Sequence, residues 1–210
     1  MMSSQYETIT GTARSFLEYS DPPPTPLDLF QVWIEQAEIA GVREPLALSL
    51  ATTDSAGRCS QRTVAVTDIS ANGLSFSTHT TSRKARELQT NSWASGLFYW
   101  RELARQLIVS GPVLKLNAAI ADKVWDERAE PLKPMSTASH QSLHLGDPEV
   151  LLARSDSLGL RTDLARPHRF AVYQLQPHRV EFWAADQSRL HRRLLYERSP
   201  RGWTVDRLQP

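Results

Sequence analysis

The stretch from Ala47 to His79 constrains this chain more than any other. It reads ALSLATTD, SAGR, CSQRTVAVTDI, SANG, LSFSTH: three apolar and β-branched segments joined by four-residue links that each carry a glycine. Links this short join antiparallel neighbours, so the region is expected to be a meander of three strands. The pattern resumes in WASGLFYW (93–100) and RQLIVSGPVLKL (105–116), and four further strands are expected at 168–175, 179–184, 189–198 and 202–208. Helical periodicity starts at Pro26, where PLDLFQVWIEQAEIAG sets Leu29, Val32, Trp33 and Ala37 on one face and closes at Gly41. It returns over 82–91, 117–129 and 147–158. Strands in this number, with helices at the ends and in the connections, predict a mainly β fold: an antiparallel six-stranded barrel with helical additions.

The 210 residues suit one domain, expected over 26–210, behind an arm over 1–25 that ends in SDPPPTP and is expected to lack core residues. Twenty-four basic residues against 23 acidic ones leave no global field to recruit nucleic acid or an anionic membrane surface. Any anion must be caught locally. The single cysteine, Cys59, excludes an internal disulfide and a thiolate metal cluster and fits a reducing compartment. No apolar run reaches 18 residues, and the expected setting is the cytoplasm.

One local feature is electrostatically odd. SRKARELQTN (82–91) has the hydroxyl start of a short helix, yet Arg83 and Lys84 occupy its first turn, where the helix dipole disfavours cations. Something anionic is expected there. A solvated basic helix face is the ordinary alternative. Ser82, His79 and Asp68 can be assembled on paper into a hydrolase triad, but no nucleophile elbow supports it. His140 and His144 have helical i, i+4 spacing, the only such histidine pair, and no metal site is expected from them.

Taken in order, QRTVAV (61–66), FSTHTTSRK (76–84), RQ (105–106), QS (141–142), EFW (181–183) and RLHRRLLYE (189–197) resemble the pyridoxamine 5'-phosphate oxidase family, from about Pro26 to the C-terminus. The resemblance implies an FMN-binding split barrel that works as a homodimer with flavin held between subunits. It assigns the phosphate of FMN as the anion at Arg83 and Lys84, with Arg62 nearby. It also implies cofactor contacts from Thr63, Val64, Ala65, Ser77, Thr78, Gln106, Gln141, Ser142, Trp183 and Arg193. On the substrate side it implies Arg189, His191 and Arg128, with the flavin and not a protein nucleophile carrying the redox chemistry. RLHRR alone reads as a basic patch for nucleic acid, but alternation of Arg189, His191 and Arg193 along one strand face argues against that.

The departures from the family pattern bear on the substrate. Thr67 stands where the family has a lysine for the substrate phosphate, and Val124 and Leu132 stand where it has a tyrosine and a serine; only Arg128 is retained. Within the family the chain is similar to the branch of FMN-dependent oxidases of phenazine biosynthesis, which act on partly reduced tricyclic phenazine carboxylic acids and use dioxygen as acceptor, giving hydrogen peroxide. A pyridoxamine or pyridoxine 5'-phosphate oxidase is the enzymatic alternative. A non-catalytic flavin-binding split barrel is the alternative of another class.

Overall fold

In the computed structural model, which describes residues 15–210, nine strands and five α-helices follow one another along the chain. Helix α1 (Pro26–Ile39) precedes strands β1 (Ala47–Thr53), β2 (Cys59–Ser70) and β3 (Gly73–His79). Helix α2 (Arg83–Thr90) leads into β4 (Trp93–Trp100) and β5 (Arg105–Lys115). A helical insert of α3 (Ala118–Asp126), α4 (Lys133–Ala138) and α5 (Pro148–Gly159) follows, and β6 (Phe170–Leu175), β7 (Arg179–Ala184), β8 (Arg192–Ser199) and β9 (Gly202–Leu208) complete the chain.

The strand order β4-β1-β2-β3-β6-β5 returns to β4 through the β4–β5 pairing, so six antiparallel strands close into a barrel. Strands β7, β8 and β9 continue as a sheet from the flank of β5. The split originates within β5 itself. Arg105–Ser110 pairs with β7, whereas Val113–Lys115 pairs with β6. At the changeover, Gln176 N donates to Pro112 O at 2.8 Å and His178 N donates to Ser110 O at 2.9 Å. The crossing chain passes so close that a Cβ on Gly111 would lie 1.9 Å from Gln176 O. Only glycine fits there.

The barrel core follows the period-two pattern of its strands. Leu48 and Leu50 of β1, Phe76 of β3, Phe98 of β4 and Leu107 and Val109 of β5 are buried inside. Trp33 of α1 caps it, with its ring centroid 5.1 Å from Phe182 and 5.0 Å from Phe16, while the Arg105 guanidinium lies 4.3 Å from the Trp33 centroid. A smaller core sits outside the barrel, where Trp125 of α3 packs on Phe170 and Val172 of β6 and donates from Nε1 to Leu164 O at 2.7 Å.

Four expectations change. The arm contributes to the core after all: Phe16 is buried, Tyr196 donates from its hydroxyl to Pro23 O at 3.0 Å, and Arg207 bonds the carbonyls of Tyr19 and Ser20. A lone aromatic carries no periodicity, so its burial has no sequence signal. The remainder of the expected arm, 1–14, lies outside the described residues. Helix α4 is an addition to the expected elements: KPMSTA is only six residues long, too short to show a helical period, and packing against α5 supports it. The expected helix face on α1 is wider than read, since Phe30 and Ile34 are also buried. Strand β8 begins at Arg192 and not at 189, so Arg189 and His191 do not alternate with Arg193 on a strand; Arg189 has φ +65° in the preceding turn.

Candidate functional site

The end of β3 delivers Thr78 to the start of α2, where the Ser82 side chain caps the helix by accepting from Ala85 N at 3.3 Å. Lys84 donates from Nζ to Thr78 Oγ1 at 2.9 Å, and Thr78 donates in turn to Gln141 Oε1 at 2.8 Å. Gln141 Oε1 also accepts from His79 N at 3.2 Å, and Ser142 Oγ accepts from Arg83 N at 3.0 Å. Residues 62 positions apart in the chain are thus stitched into one cluster. Burial, then the nearby charge of Arg62, lowers the pKa of Lys84, which among the described residues has no carboxylate partner.

Arg62 reaches the same cluster from β2. Its guanidinium donates to Thr52 Oγ1 at 2.5 Å, to Ser60 Oγ, and to Glu87 Oε2 at 3.3 Å. Arg83 Nε donates to the other oxygen, Glu87 Oε1, at 2.8 Å. Burial alone would raise the Glu87 pKa, but hydrogen bonds from Ser60, Thr52, Arg83 and Arg62 outweigh it and bring the value down to about 2. Two cations are therefore tied to a single ionised carboxylate, and Lys84 stands beside them, bonded to Thr78 instead. Glu87, Thr52 and Ser60 were missed in the sequence. The i, i+4 spacing of Arg83 and Glu87 was a usable signal, as was the hydroxyl pair that the β1–β2 hairpin brings opposite each other at Thr52 and Ser60.

His79 is buried and its Nδ1 accepts from Gln141 N at 3.3 Å. Burial, then the charge of Arg169, depresses its pKa to about 4, so it is neutral at physiological pH. With Ser82 committed to capping α2, the hydrolase alternative has no nucleophile.

A second group lies on the outward face of the sheet. Gln106 of β5, Trp183 of β7 and Arg193 of β8 are successive cross-strand partners, with Tyr99 of β4 opposite Gln106. Arg193 is held by Glu181, its Nε donating at 2.7 Å. The His191 ring lies 4.8 Å from that of Trp183. The run Arg62–Ala65 divides between the two faces: Arg62 and Val64 pair with the core residues Leu50 and Leu48, whereas Thr63 pairs with Ser49 and shares the outward face with Ala65. Ser77, next to Thr78 on β3, likewise alternates away from it. Among the described residues, no hydrogen bond or ion pair joins the cationic cluster to the Gln106–Trp183–Arg193 row.

The remaining substrate-side positions lie elsewhere. Arg128 follows α3, stacks 5.7 Å over Phe170, donates to Ser136 Oγ at 3.3 Å and has a buried Nε without a partner. Thr67 sits at a bulge in the β2–β3 pairing and donates its hydroxyl to Ser75 O at 3.2 Å. Val124 packs against the outer core, and Leu132 is 52% exposed.

Comparison with known proteins identifies the family. A model described as pyridoxamine 5'-phosphate oxidase matches residues 34–184, and one described as the pyridoxine 5'-phosphate oxidase C-terminal dimerisation region matches 170–210. The dihydrophenazinedicarboxylate synthase of Burkholderia lata is 48% identical, with both chains covered in full. The pyridoxine/pyridoxamine 5'-phosphate oxidase of Burkholderia mallei is 37% identical, again with both chains covered in full. The crystal structure of PhzG from Burkholderia lata 383 in complex with tetrahydrophenazine-1-carboxylic acid superposes with a TM-score of 0.93 at 48% identity, covering 95% of this chain and 100% of that one. The chain belongs to the pyridoxamine 5'-phosphate oxidase family.

Proposed function

We propose that the protein is a homodimeric FMN-dependent oxidase that aromatises partly reduced phenazine carboxylic acids. The observation that carries this reading is end-to-end similarity to a dihydrophenazinedicarboxylate synthase, combined with Thr67, Val124 and Leu132 at the positions where the family's vitamin-phosphate pocket is polar. The residues present suit FMN. Arg62, Arg83 and Lys84 outnumber Glu87 at a helix start, which fits a phosphate dianion. The aromatic and amide groups of Trp183 and Gln106 suit a flat ring with a polar edge.

On this reading Arg62, Arg83 and Lys84 hold the phosphate, and Ser77, Thr78, Gln141 and Ser142 line its surroundings. Thr63, Val64, Ala65, Gln106, Trp183 and Arg193 contribute to the ring site, with partner-subunit residues completing it. The match of 170–210 to a dimerisation region supports the homodimer. FMN, when bound, supplies the two-electron chemistry, accepting a hydride from the reduced ring and passing the pair to dioxygen as hydrogen peroxide. Arg189, His191 and Arg128 orient the substrate and complement its carboxylate. No helix among the described residues is long and apolar enough to cross a membrane, and the cytoplasm is the proposed setting.

Anaerobic stopped-flow bleaching of the bound flavin tests the substrate directly. A reduced phenazine-1-carboxylate should bleach it faster than pyridoxamine 5'-phosphate by at least about 100-fold, since a charge and two hydroxyls are missing from the phosphate pocket. Equal rates would overturn the substrate assignment and leave the family intact.

A further inference from the structure

The turn between β7 and β8 is organised by one side chain that none of the roles above uses. Asp186 Oδ1 accepts from Ser188 N at 3.0 Å and from Ser188 Oγ at 2.6 Å, and Ser188 Oγ accepts from Leu190 N at 3.2 Å. The main chain of Asp186 acts on both sides: its carbonyl accepts from Arg189 N at 3.0 Å, and its N–H donates to His191 Nδ1 at 3.2 Å. Arg192 adds an ion pair to Asp186 Oδ2 at 3.7 Å. Within this frame Arg189 takes φ +65°, a left-handed conformation that a non-glycine residue keeps only where its surroundings hold it.

The bond to His191 has a chemical consequence. A backbone N–H can only donate, so Nδ1 must present its lone pair and the proton of the neutral ring resides on Nε2. The ring is fixed from a second side by its tilted contact with Trp183 at 4.8 Å. Among the described residues Nε2 has no hydrogen-bond partner. We propose that Asp186 is a positioning residue that builds this turn and presents His191 to the substrate as an Nε2–H donor, in register with Arg189. This rests on the reading that Arg189 and His191 face the substrate. A donor at Nε2 and a guanidinium two residues away together suit a carboxylate on the substrate, and the neutral ring in this tautomer has no lone pair at Nε2 with which to remove a proton.

The tautomer can be read without any substrate. Long-range ¹H–¹⁵N correlation spectra of the FMN-loaded protein, with His191 assigned by loss of its signals in His191→Gln, should show the Nε2–H form in the wild type. Asp186→Asn keeps an acceptor oxygen for Ser188 and should preserve that form. Asp186→Ala should give a mixture of tautomers, raise KM for reduced phenazine-1-carboxylate about tenfold and leave FMN affinity unchanged. Ser188→Ala should act in the same direction more weakly. An Nδ1–H ring in the wild type, or Asp186→Ala and Ser188→Ala leaving both tautomer and KM unaltered, would overturn the proposal. A tautomer that changes in Asp186→Ala while KM does not would overturn the presentation of His191 to the substrate. Wild-type flavin that this substrate fails to bleach would instead sink the functional reading, with the tautomer still measured.

Discussion

The start of α2 and the turn at 186–191 both present arginine to solvent-facing chemistry, and they are built in opposite ways. At α2, Arg62 and Arg83 are tied to the two oxygens of a buried carboxylate, and Thr78, Lys84 and Gln141 form a continuous chain of hydrogen bonds. At the turn, Arg189 is exposed, stands in a left-handed conformation and depends on a local hydrogen-bonded frame. On the proposed function, the first arrangement is preorganised for the cofactor phosphate. The second leaves room for a substrate to be fitted, and small changes in the frame would retune it.

The largest expected effect breaks the first region. Replacing Arg83 and Lys84 together by alanine removes the two charge-assisted contacts proposed for the phosphate, about 1.5–3 kcal/mol each, so FMN affinity should fall by roughly 100-fold to 10,000-fold in equilibrium dialysis. The protein should remain folded, because Glu87 keeps Arg62, Thr52 and Ser60 as partners. Undiminished affinity would place the phosphate elsewhere.

The next effect separates the buried carboxylate from the exposed turn. Because the folded pKa of Glu87 is depressed to about 2, its contribution to stability is complete above its unfolded value near 4.5 and is lost as pH falls through about 2. Glu87→Gln should therefore flatten the acid limb of the stability profile by roughly 2–3 kcal/mol between those values, as read by urea denaturation at a series of pH values. Parallel acid limbs in the two proteins would show that Glu87 is not held as described.

The smallest effect falls on the turn. Arg189→Ala or His191→Ala should raise KM for a reduced phenazine carboxylate about tenfold with FMN affinity unchanged. Flavin release by either variant would assign that residue to the cofactor and not to the substrate.

How far the sequence reveals these regions depends on the range of the interactions. The meander β1–β3 is legible because its links are short and its strands alternate, and the start of α2 is legible because a serine cap precedes two misplaced cations. Glu87 was passed over: next to Arg86 in a helix it reads as an ordinary surface charge, and only the approach of the β1–β2 hairpin buries it. Phe16 is a single aromatic and α4 a single short run, and each owes its place to packing on a neighbouring helix that its own residues do not signal. The second half of the turn, 189–191, reads as the start of a strand because RLHRRLLYE alternates, and alternation does not reveal a positive φ. The residues of the outward row were accessible only through motif order, since the pairing of Gln106 with Trp183 joins positions 77 apart.

The changeover at Gly111 and Pro112 makes β5 a common ruler for two sheets. Gln106 and Leu107 point to opposite sides of it, and Gly111 is locked in place by the chain that crosses at Gln176. The five steps along the chain from Gln106 to Gly111 are therefore a matter of parity as much as of length. Deleting one residue between them would turn Leu107 outward, carry Gln106 into the barrel and break the row with Trp183 and Arg193, whereas a two-residue change would restore the faces and only shorten the strand. Variation in this segment should accordingly come in even steps, a rule imposed by the fold.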